Sequence, residues 1–286
     1  MNLSGIITAI TAALCMGTMG VFSRKAGFTA EVITFFRLFI GSCFLLLFLL
    51  AKGQLRYVRV WPGLPVLVNG LLLSGFIIFY VQAMSFTTMA NAIMVLYLAP
   101  LLASIFAHFF LAERLNLTSL FLICGSLFGF AMMLEFKLGF GEESNDVLGM
   151  IYALLGLLCY TGFILINRII APKVHVYTRT YYQLFIGALC LIPFLFGHLP
   201  DLSLHNMLWA TGSGFIPGFI GILCAVIALD KLPAATFGTL AYFEPISVIL
   251  LGYMIFNEQL GLLQIYGCTI ILLCGSIKGY LVATEK

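Results

Sequence analysis

Two charged side chains lie inside long apolar segments of the sequence, where a charge is costly. Glu244 falls near the centre of the apolar segment 234–256, and Arg37 lies nearer one end of the segment 30–51. A charge at the centre of a membrane helix costs about 2.5–3.5 kcal/mol on insertion scales. Glu244 therefore indicates a proton-exchanging site, a counter-ion for a cationic substrate, or both in competition. The structural alternative is a protonated Glu244 bonded to a carbonyl or paired with Arg37.

Arg37 and two tyrosines are further candidates for substrate contact. Arg37 has three candidate roles: it extends to the membrane interface, pairs with Glu244, or binds a substrate carboxylate, and its position favours the first. Tyr97 and Tyr242 suit an aromatic or cationic ligand through stacking and cation–π contact, or hydrogen bonds between helices. On an ideal helix Tyr242 and Glu244 point about 200° apart. Both face one cavity only if Pro245 kinks the helix.

Two prolines and three polar residues complete the candidate site. Pro100 and Pro245 each lack an N–H and clash with the carbonyl one turn back, so we expect hinges or exposed carbonyls there. Further polar groups that could line a cavity are Tyr80, Gln82 and Asn91. All eight cysteines fall in apolar segments, without metal-ligand spacing. Nucleotide-binding and hydrolase motifs are absent too, so we expect no metal, no cofactor and no catalytic residue.

The composition is that of a chain embedded in a lipid bilayer. Of its 286 residues 62% are hydrophobic and 9% are charged, and the mean hydropathy is +1.13. A globular domain carries about 25% charged residues, so a water-soluble fold of this size could not cover its surface. This excludes a cytosolic enzyme, a nucleic-acid binder and a secreted disulfide scaffold.

Ten apolar segments are long enough to cross the bilayer, which requires about 20 residues. Short polar connections separate them, so the sequence predicts an all-α polytopic membrane protein with ten transmembrane helices. The segments are 3–23, 30–51, 62–85, 89–111, 115–135, 147–169, 177–197, 206–229, 234–256 and 262–282.

The basic residues predict the orientation of the spans, because lysine and arginine accumulate in cytoplasmic loops. With a cytoplasmic N-terminus, ten basic residues fall on the cytoplasmic side: Lys52, Arg56, Arg59, Arg114, Arg168, Lys173, Arg179, Lys231, Lys278 and Lys286. The opposite side holds three: Arg24, Lys25 and Lys137. We therefore expect both termini in the cytoplasm, with the chain in a bacterial cytoplasmic (inner) membrane.

The sequence contains an internal repeat. The fourth and ninth segments share a tyrosine, a proline and a following glutamate at one offset of 145: Tyr97, Pro100 and Glu113 against Tyr242, Pro245 and Glu258. The second and seventh segments match as Phe-Phe-Arg-Leu-Phe-Ile-Gly at 35–41 and Tyr-Tyr-Gln-Leu-Phe-Ile-Gly at 181–187. Arg24 and Arg168 end the first and sixth segments at an offset of 144.

Each repeat has five spans, so the second copy must enter the membrane from the opposite side. We therefore predict two inverted five-helix halves, 1–138 and 146–286, related by a pseudo-twofold axis in the membrane plane. Such repeats are typical of secondary transporters, which bind substrate at the repeat interface.

These motifs resemble the EamA-type ten-helix members of the drug/metabolite transporter superfamily. The resemblance rests on the aromatic-Arg/Gln-Leu-Phe-Ile-Gly second helix and the mid-span proline of the fourth helix, and it runs from about Gly5 to Tyr280. It implies a substrate cavity between the halves, lined by the first, third and fourth helices of each. Gln183 replaces Arg37 in the second half, so a role requiring two symmetric arginines is not implied.

The function expected is secondary transport of a small organic metabolite or drug by alternating access, as an exporter. The driving force is a proton gradient, with protons as the coupling ion, or exchange, or the solute's own gradient. A cationic, zwitterionic or aromatic substrate is favoured. The alternatives are an uptake carrier or exchanger for an amino acid or nucleoside-type compound and, from another class, an intramembrane enzyme. Small-molecule substrate and lipid bilayer are the expected partners, and the chain would act as a monomer or homodimer.

Overall fold

A computed structural model describes residues 3–113, 115–137, 146–195 and 203–284, apart from the side chains of residues 90 and 146. These residues form ten successive helical spans, which confirms the predicted all-α polytopic fold. Eight spans among them are long and apolar enough to cross a membrane. The fifth and seventh are shorter, with helices of 17 and 16 residues. Arg114 and Lys286, two of the basic residues used for orientation, lie outside the described residues.

The first half contains spans one to five. They are Leu3–Gly17 continued by Met19–Ala26, Ala30–Ala51, Leu64–Met84, Met89–Leu96 continued by Ala99–Phe110, and Leu117–Met133. A single short helix, Arg56–Arg59, lies between the second and third spans in the described part of this half.

The second half contains spans six to ten. They are Asp146–Ile170, Val176–Leu191 with the 3-10 turn Ile192–Leu195, Leu204–Ser213 with the π-helix Gly214–Gly221 and Ile222–Lys231, Ala234–Ala241 with Phe243–Phe256, and Leu262–Thr284.

Packing between the spans follows the repeat. The third span packs along the sixth, as the eighth does along the first. The second span packs on the eighth, and their repeat counterparts, the seventh and third spans, pack on each other. In the same way, the first span packs on the ninth and the sixth span packs on the fourth. Three further contacts each join a span to its own repeat counterpart: the second to the seventh, the fourth to the ninth, and the fifth to the tenth. Exchanging the halves therefore reproduces the packing, and most of the core lies between them.

The two halves run in opposite directions through the bundle. The first span begins beside the eighth, where Lys231 Nζ donates to Ser4 Oγ at 3.0 Å. It ends beside the ninth, where Arg24 pairs with Glu258. The repeat counterpart of Arg24, Arg168, instead donates to Leu229 O in the last turn of the eighth span. We call the two ends of the molecule the Arg168 end, which includes Ser4 and Lys231, and the Arg24 end.

Both proline-containing spans are broken at the same repeat position. The fourth span is interrupted at Tyr97 and the ninth at Tyr242, each three residues before its proline. Because proline has no N–H, the carbonyl one turn back loses its helical partner and the helix restarts. Gly238 lets the two broken spans approach, since a Cβ there would lie 2.8 Å from Pro100 Cβ.

Candidate functional site

A cavity of about 130 Å³ lies between the halves at the level of the two helix breaks. Its lining includes two repeat-related pairs, Met16 with Tyr160 and Leu96 with Ala241. Paired counterparts facing one space are expected where a pseudo-twofold axis passes through it. The remaining wall is mainly apolar and is contributed by the first, third, sixth, eighth and ninth spans. The cavity thus occupies the interface where alternating-access transporters bind their solutes.

Arg37 and Glu244 are the charged residues in the described wall of this cavity. Arg37 is 8% exposed, and its Nε atom is buried without a hydrogen-bond partner. The two side chains lie within electrostatic range of each other, yet no ion pair joins them among the described residues. The expectation that Arg37 extends to the membrane interface is wrong, because its side chain turns inward to the cavity.

Close backbone contacts to glycine hold both charged residues in place. A Cβ on Gly17 would lie 2.9 Å from the carbonyl oxygen of Glu244, so the first span passes directly against the ninth there. Ser247 Oγ donates to Leu14 O at 3.1 Å and ties the same two spans together. A Cβ on Gly218 would overlap the carbonyl of Arg37.

The π-helix Gly214–Gly221 shapes the wall next to Arg37. Pro217 lies inside it and cannot donate a helical hydrogen bond, and the wider π turn accommodates that loss. The segment packs against the second span, where a Cβ on Gly41 would lie 3.0 Å from the Gly218 carbonyl carbon. This irregular turn therefore packs closely against the span that carries Arg37.

Tyrosine hydroxyls surround Glu244. Tyr97 lines the cavity, is placed for a side-chain hydrogen bond to the Glu244 carboxyl, and stacks on Phe130 with ring centroids 4.4 Å apart. Tyr160 also lines the cavity, 5.0 Å from the Phe76 ring by centroids. Sequence reasoning did not select Tyr160, although its position matches that of Met16 in the repeat. A carboxyl, a guanidinium and phenolic hydroxyls together can bind polar groups of either charge.

The structure places the other predicted site residues outside the cavity wall. Tyr242 is fully buried, and its hydroxyl donates to the carbonyl of Tyr97 at 2.7 Å, across the two helix breaks. Tyr80 packs against a small cluster on the third, fourth and sixth spans. Asn91 lies in the first turn of the fourth span, where its N–H donates to the capping Thr88 Oγ1 and its Nδ2 donates to Thr87 Oγ1, each at 3.2 Å. Gln82 is half-buried near the end of the third span.

Each end of the molecule carries an arginine–glutamate pair that joins the two halves. At the Arg168 end, Arg168 Nη2 lies 2.6 Å from Glu113 Oε1, and the two side chains are 19% and 15% exposed. At the Arg24 end, Arg24 Nη1 lies 2.5 Å from Glu258 Oε1, and these side chains are 59% and 50% exposed. The four residues are two pairs of repeat counterparts, so exchanging the halves converts one ion pair into the other.

The same helix ending positions both glutamates. The helix of the fourth span ends at Phe110, Ala112 follows with φ 53°, and Glu113 N–H donates to Ala107 O at 3.2 Å. The ninth span ends at Asn257 with φ 54°, and Glu258 N–H donates to Gly252 O at 3.2 Å. The left-handed residue reverses the chain and directs the next side chain across the bundle.

The pair at the Arg168 end is reinforced by two backbone groups. Ala234 N–H donates to Glu113 Oε2 at 2.8 Å, which places a carboxylate at the N-terminus of a helix. Arg168 Nη1 donates to Leu229 O at 2.7 Å, in the last turn of the preceding helix. The ion pair thus closes the turn between the eighth and ninth spans as well as joining the halves.

A second ion pair lies at the Arg168 end, and it has no repeat counterpart. Arg179, which is fully buried, donates from Nη2 to Asp230 Oδ1 at 2.5 Å and from Nη1 to Asn167 O at 3.0 Å. Gln183, the counterpart of Arg37, donates to Asn167 Oδ1 at 3.0 Å. Position 33 of the first half, which corresponds to Arg179, is an isoleucine.

The chain matches a known family over both of its halves. A model of the EamA-like transporter family matches residues 3–135 and again residues 147–276. A solved crystal structure with 22% sequence identity has the same fold, with a TM-score of 0.86 over 99% of both chains.

Several relatives are transporters by name. An uncharacterized transporter from Archaeoglobus fulgidus is 28% identical over 94% of this chain and 93% of its own length. The uncharacterized transporter YxxF from Bacillus subtilis is 27% identical over 94% of this chain and 87% of its own. The pseudopaline exporter CntI from Pseudomonas aeruginosa is 27% identical over 67% of this chain and 66% of its own.

Proposed function

The chain belongs to the EamA-like transporter family, and from this premise we propose that it exports a small organic solute by alternating access. The observation that carries the proposal is the cavity between the halves, with Glu244 and Arg37 in its wall. A buried charge is costly unless it is used or paired. Because Glu244 and Arg37 both line the cavity, we interpret the cavity as a solute-binding site.

Alternating access is supported by the two arginine–glutamate pairs. Each joins one half to the other, one at each end of the bundle. In this conformation the pair at the Arg168 end is mostly buried and doubly reinforced, whereas the pair at the Arg24 end is more exposed. Inverted repeats exchange conformations during transport. The opposite state then buries Arg24 with Glu258 and releases Arg168 from Glu113.

The broken helices supply the bending points for this exchange. Tyr97 and Tyr242 lie where hydrogen bonding is interrupted, and Pro100 and Pro245 keep it interrupted. Discontinuous helices next to the substrate are common in secondary transporters. We propose that the two prolines are hinges and that the hydrogen bond from Tyr242 to Tyr97 O keeps the hinges together.

Proton coupling is proposed at Glu244. A carboxyl in an apolar wall can hold either a proton or a cationic group, which makes the two compete. An exporter of this kind moves solute outward as protons move inward. The relative named as a pseudopaline exporter supports the outward direction. The excess of basic residues supports a cytoplasmic position for the Arg168 end.

The test is transport by purified protein in proteoliposomes. Radiolabelled L-leucine, L-phenylalanine, isoamylamine and phenethylamine serve as probes, added with the vesicle interior either acidic or at the external pH. We expect at least one probe to accumulate above its level in protein-free vesicles when the interior is acidic, and we expect Glu244→Gln to abolish this excess. Glu135→Gln is the matched control, since Glu135 pairs with Lys137 outside the cavity.

Unchanged pH-driven accumulation in Glu244→Gln would contradict proton coupling through this residue. Equal probe levels in protein-containing and empty vesicles, under every gradient, would contradict transport of this solute class.

A further inference from the structure

The charges in the cavity wall define a more specific solute class. The wall presents one carboxyl, from Glu244, and one guanidinium, from Arg37, on an otherwise mainly apolar surface. We infer that the solute is a zwitterion with an apolar body, whose cationic group binds Glu244 and whose anionic group binds Arg37. This inference rests on the proposed function and adds the substrate class to it.

Arg37 is the first line of support, because its guanidinium forms no ion pair with the described residues. The guanidinium offers five N–H donors and no acceptor. Its side chain is nine-tenths buried, its Nε lacks a partner, and the residue forms no ion pair in the described part of the chain. A planar guanidinium lining an apolar cavity matches a carboxylate, which it can bind through two parallel hydrogen bonds.

The close backbone packing of the two charged residues is the second line of support. The backbone of Arg37 packs directly against Gly218, and that of Glu244 against Gly17. The Tyr97 hydroxyl is also placed for a hydrogen bond to the Glu244 carboxyl. Both charged residues line the space between them, and no ion pair among the described residues closes it. A solute with two opposite charges fills this gap and leaves neither charge unpaired, whereas a simple cation or anion leaves one.

The repeat is the third line of support, because it does not require either charge. The counterpart of Glu244 is Ala99, and the counterpart of Arg37 is Gln183, which is hydrogen-bonded to Asn167 away from the cavity. Pseudo-symmetry accounts for the shared tyrosine and proline of the fourth and ninth spans, but not for these charges. The charged pair is thus a property of the cavity and not of the repeat.

The test compares solutes that share a skeleton and differ in charge. L-leucine carries both charges, isoamylamine the cation, and 4-methylpentanoate the anion. Binding to the purified wild-type protein is measured by calorimetry, and the comparison is repeated with L-phenylalanine, phenethylamine and 3-phenylpropionate. We expect the amino acid of at least one skeleton to bind about tenfold or more tightly than its amine and its acid, because each charge-assisted contact adds to affinity.

Two variants assign each charge to its residue. Arg37→Gln is expected to reduce amino-acid affinity to that of the amine, and Glu244→Gln to that of the acid. Arg59→Gln is the control, since Arg59 is exposed on the short helix Arg56–Arg59, and it should leave every affinity unchanged.

The zwitterion inference would be overturned if neither amino acid bound more tightly than both its amine and its acid, or if none of the six probes bound. Either result leaves the proposed transport function in place if a solute accumulates in proteoliposomes with an acidic interior above its level in protein-free vesicles. The two proposals therefore fail separately.

Discussion

The Arg168 end and the Arg24 end use the same two residue types at equivalent repeat positions, yet they hold the halves together very differently. Glu113 and Glu258 follow the same helix ending, and Arg168 and Arg24 end equivalent spans. What differs is the surrounding backbone, since Ala234 N–H and Leu229 O complete the first pair. The sequence repeat thus sets which residues meet, and their neighbours set how firmly each end is closed.

The largest expected effect is the loss of the mostly buried pair at the Arg168 end. Glu113→Gln leaves the Arg168 charge mostly buried without a counter-ion, which we expect to cost about 3 kcal/mol of folding stability. Glu258→Gln removes an exposed pair and should cost about 0–1 kcal/mol. Unfolding in mixed detergent micelles with increasing SDS measures both. Equal losses of folding stability for the two variants would contradict the proposed difference in strength between the two ion pairs.

A somewhat smaller loss is expected from the second ion pair of the Arg168 end. Asp230→Asn leaves Arg179, which is fully buried, with only the Asn167 carbonyl to bind its guanidinium. We expect a loss of about 2 kcal/mol, because Asp230 itself is partly solvated. The same SDS titration measures it, with the exposed Arg59→Gln as the control. A wild-type midpoint for Asp230→Asn would show that this pair does not close the Arg168 end.

Swapping the charges sharpens the comparison further. In Glu113→Arg/Arg168→Glu the ion pair can re-form, but the arginine cannot accept from Ala234 N–H and the glutamate cannot donate to Leu229 O. We expect the swapped pair to remain about 1–2 kcal/mol less stable than wild type, since two hydrogen bonds are lost. The swap Arg24→Glu/Glu258→Arg should be neutral. Full recovery at both ends would mean that the backbone contacts do not matter.

The smallest effect expected is a pH dependence confined to the Arg168 end. Partial burial, and then the nearby Arg179 and Arg56, lower the pKa of His175 below its usual value of 6.5. The folded state therefore binds this proton less readily than the unfolded state, and stability falls as the pH drops through 6.5. His175 also accepts from Tyr177 N–H as a helix cap. His175→Asn keeps a capping group without titrating, so its stability at pH 5.5 relative to pH 8 should exceed that of wild type. An identical pH profile for the two proteins would contradict this.

The sequence predicted the spans and the repeat well, because both depend on local hydropathy and on matched motifs. Sequence reasoning identified Glu113 with Glu258 and Arg24 with Arg168 as counterparts, but it did not pair arginine with glutamate. A signal was present, since the predicted topology puts Glu113 and Arg168 on the same side of the membrane.

The cavity was harder to predict, because it depends on how irregular helices rotate. Tyr242 was expected to face the substrate if Pro245 reoriented the helix, whereas the break places its hydroxyl on the Tyr97 carbonyl. Arg37 was expected at the interface, whereas its side chain lines the cavity and its backbone packs against Gly218 of the π-helix. Neither π-helices nor close glycine contacts have a hydropathy signature.

The most direct test of alternating access between these two ends is the accessibility of the cavity from each side of the membrane. Ala225, which lines the cavity, is replaced by cysteine in a variant without native cysteines, and a membrane-impermeant maleimide is added to vesicles of defined orientation. We expect faster labelling from the Arg24 side, and we expect Glu113→Gln to raise labelling from the Arg168 side by about tenfold or more, because it removes the buried counter-ion. Unchanged labelling from the Arg168 side in Glu113→Gln, or the same increase in Glu258→Gln, would contradict the account.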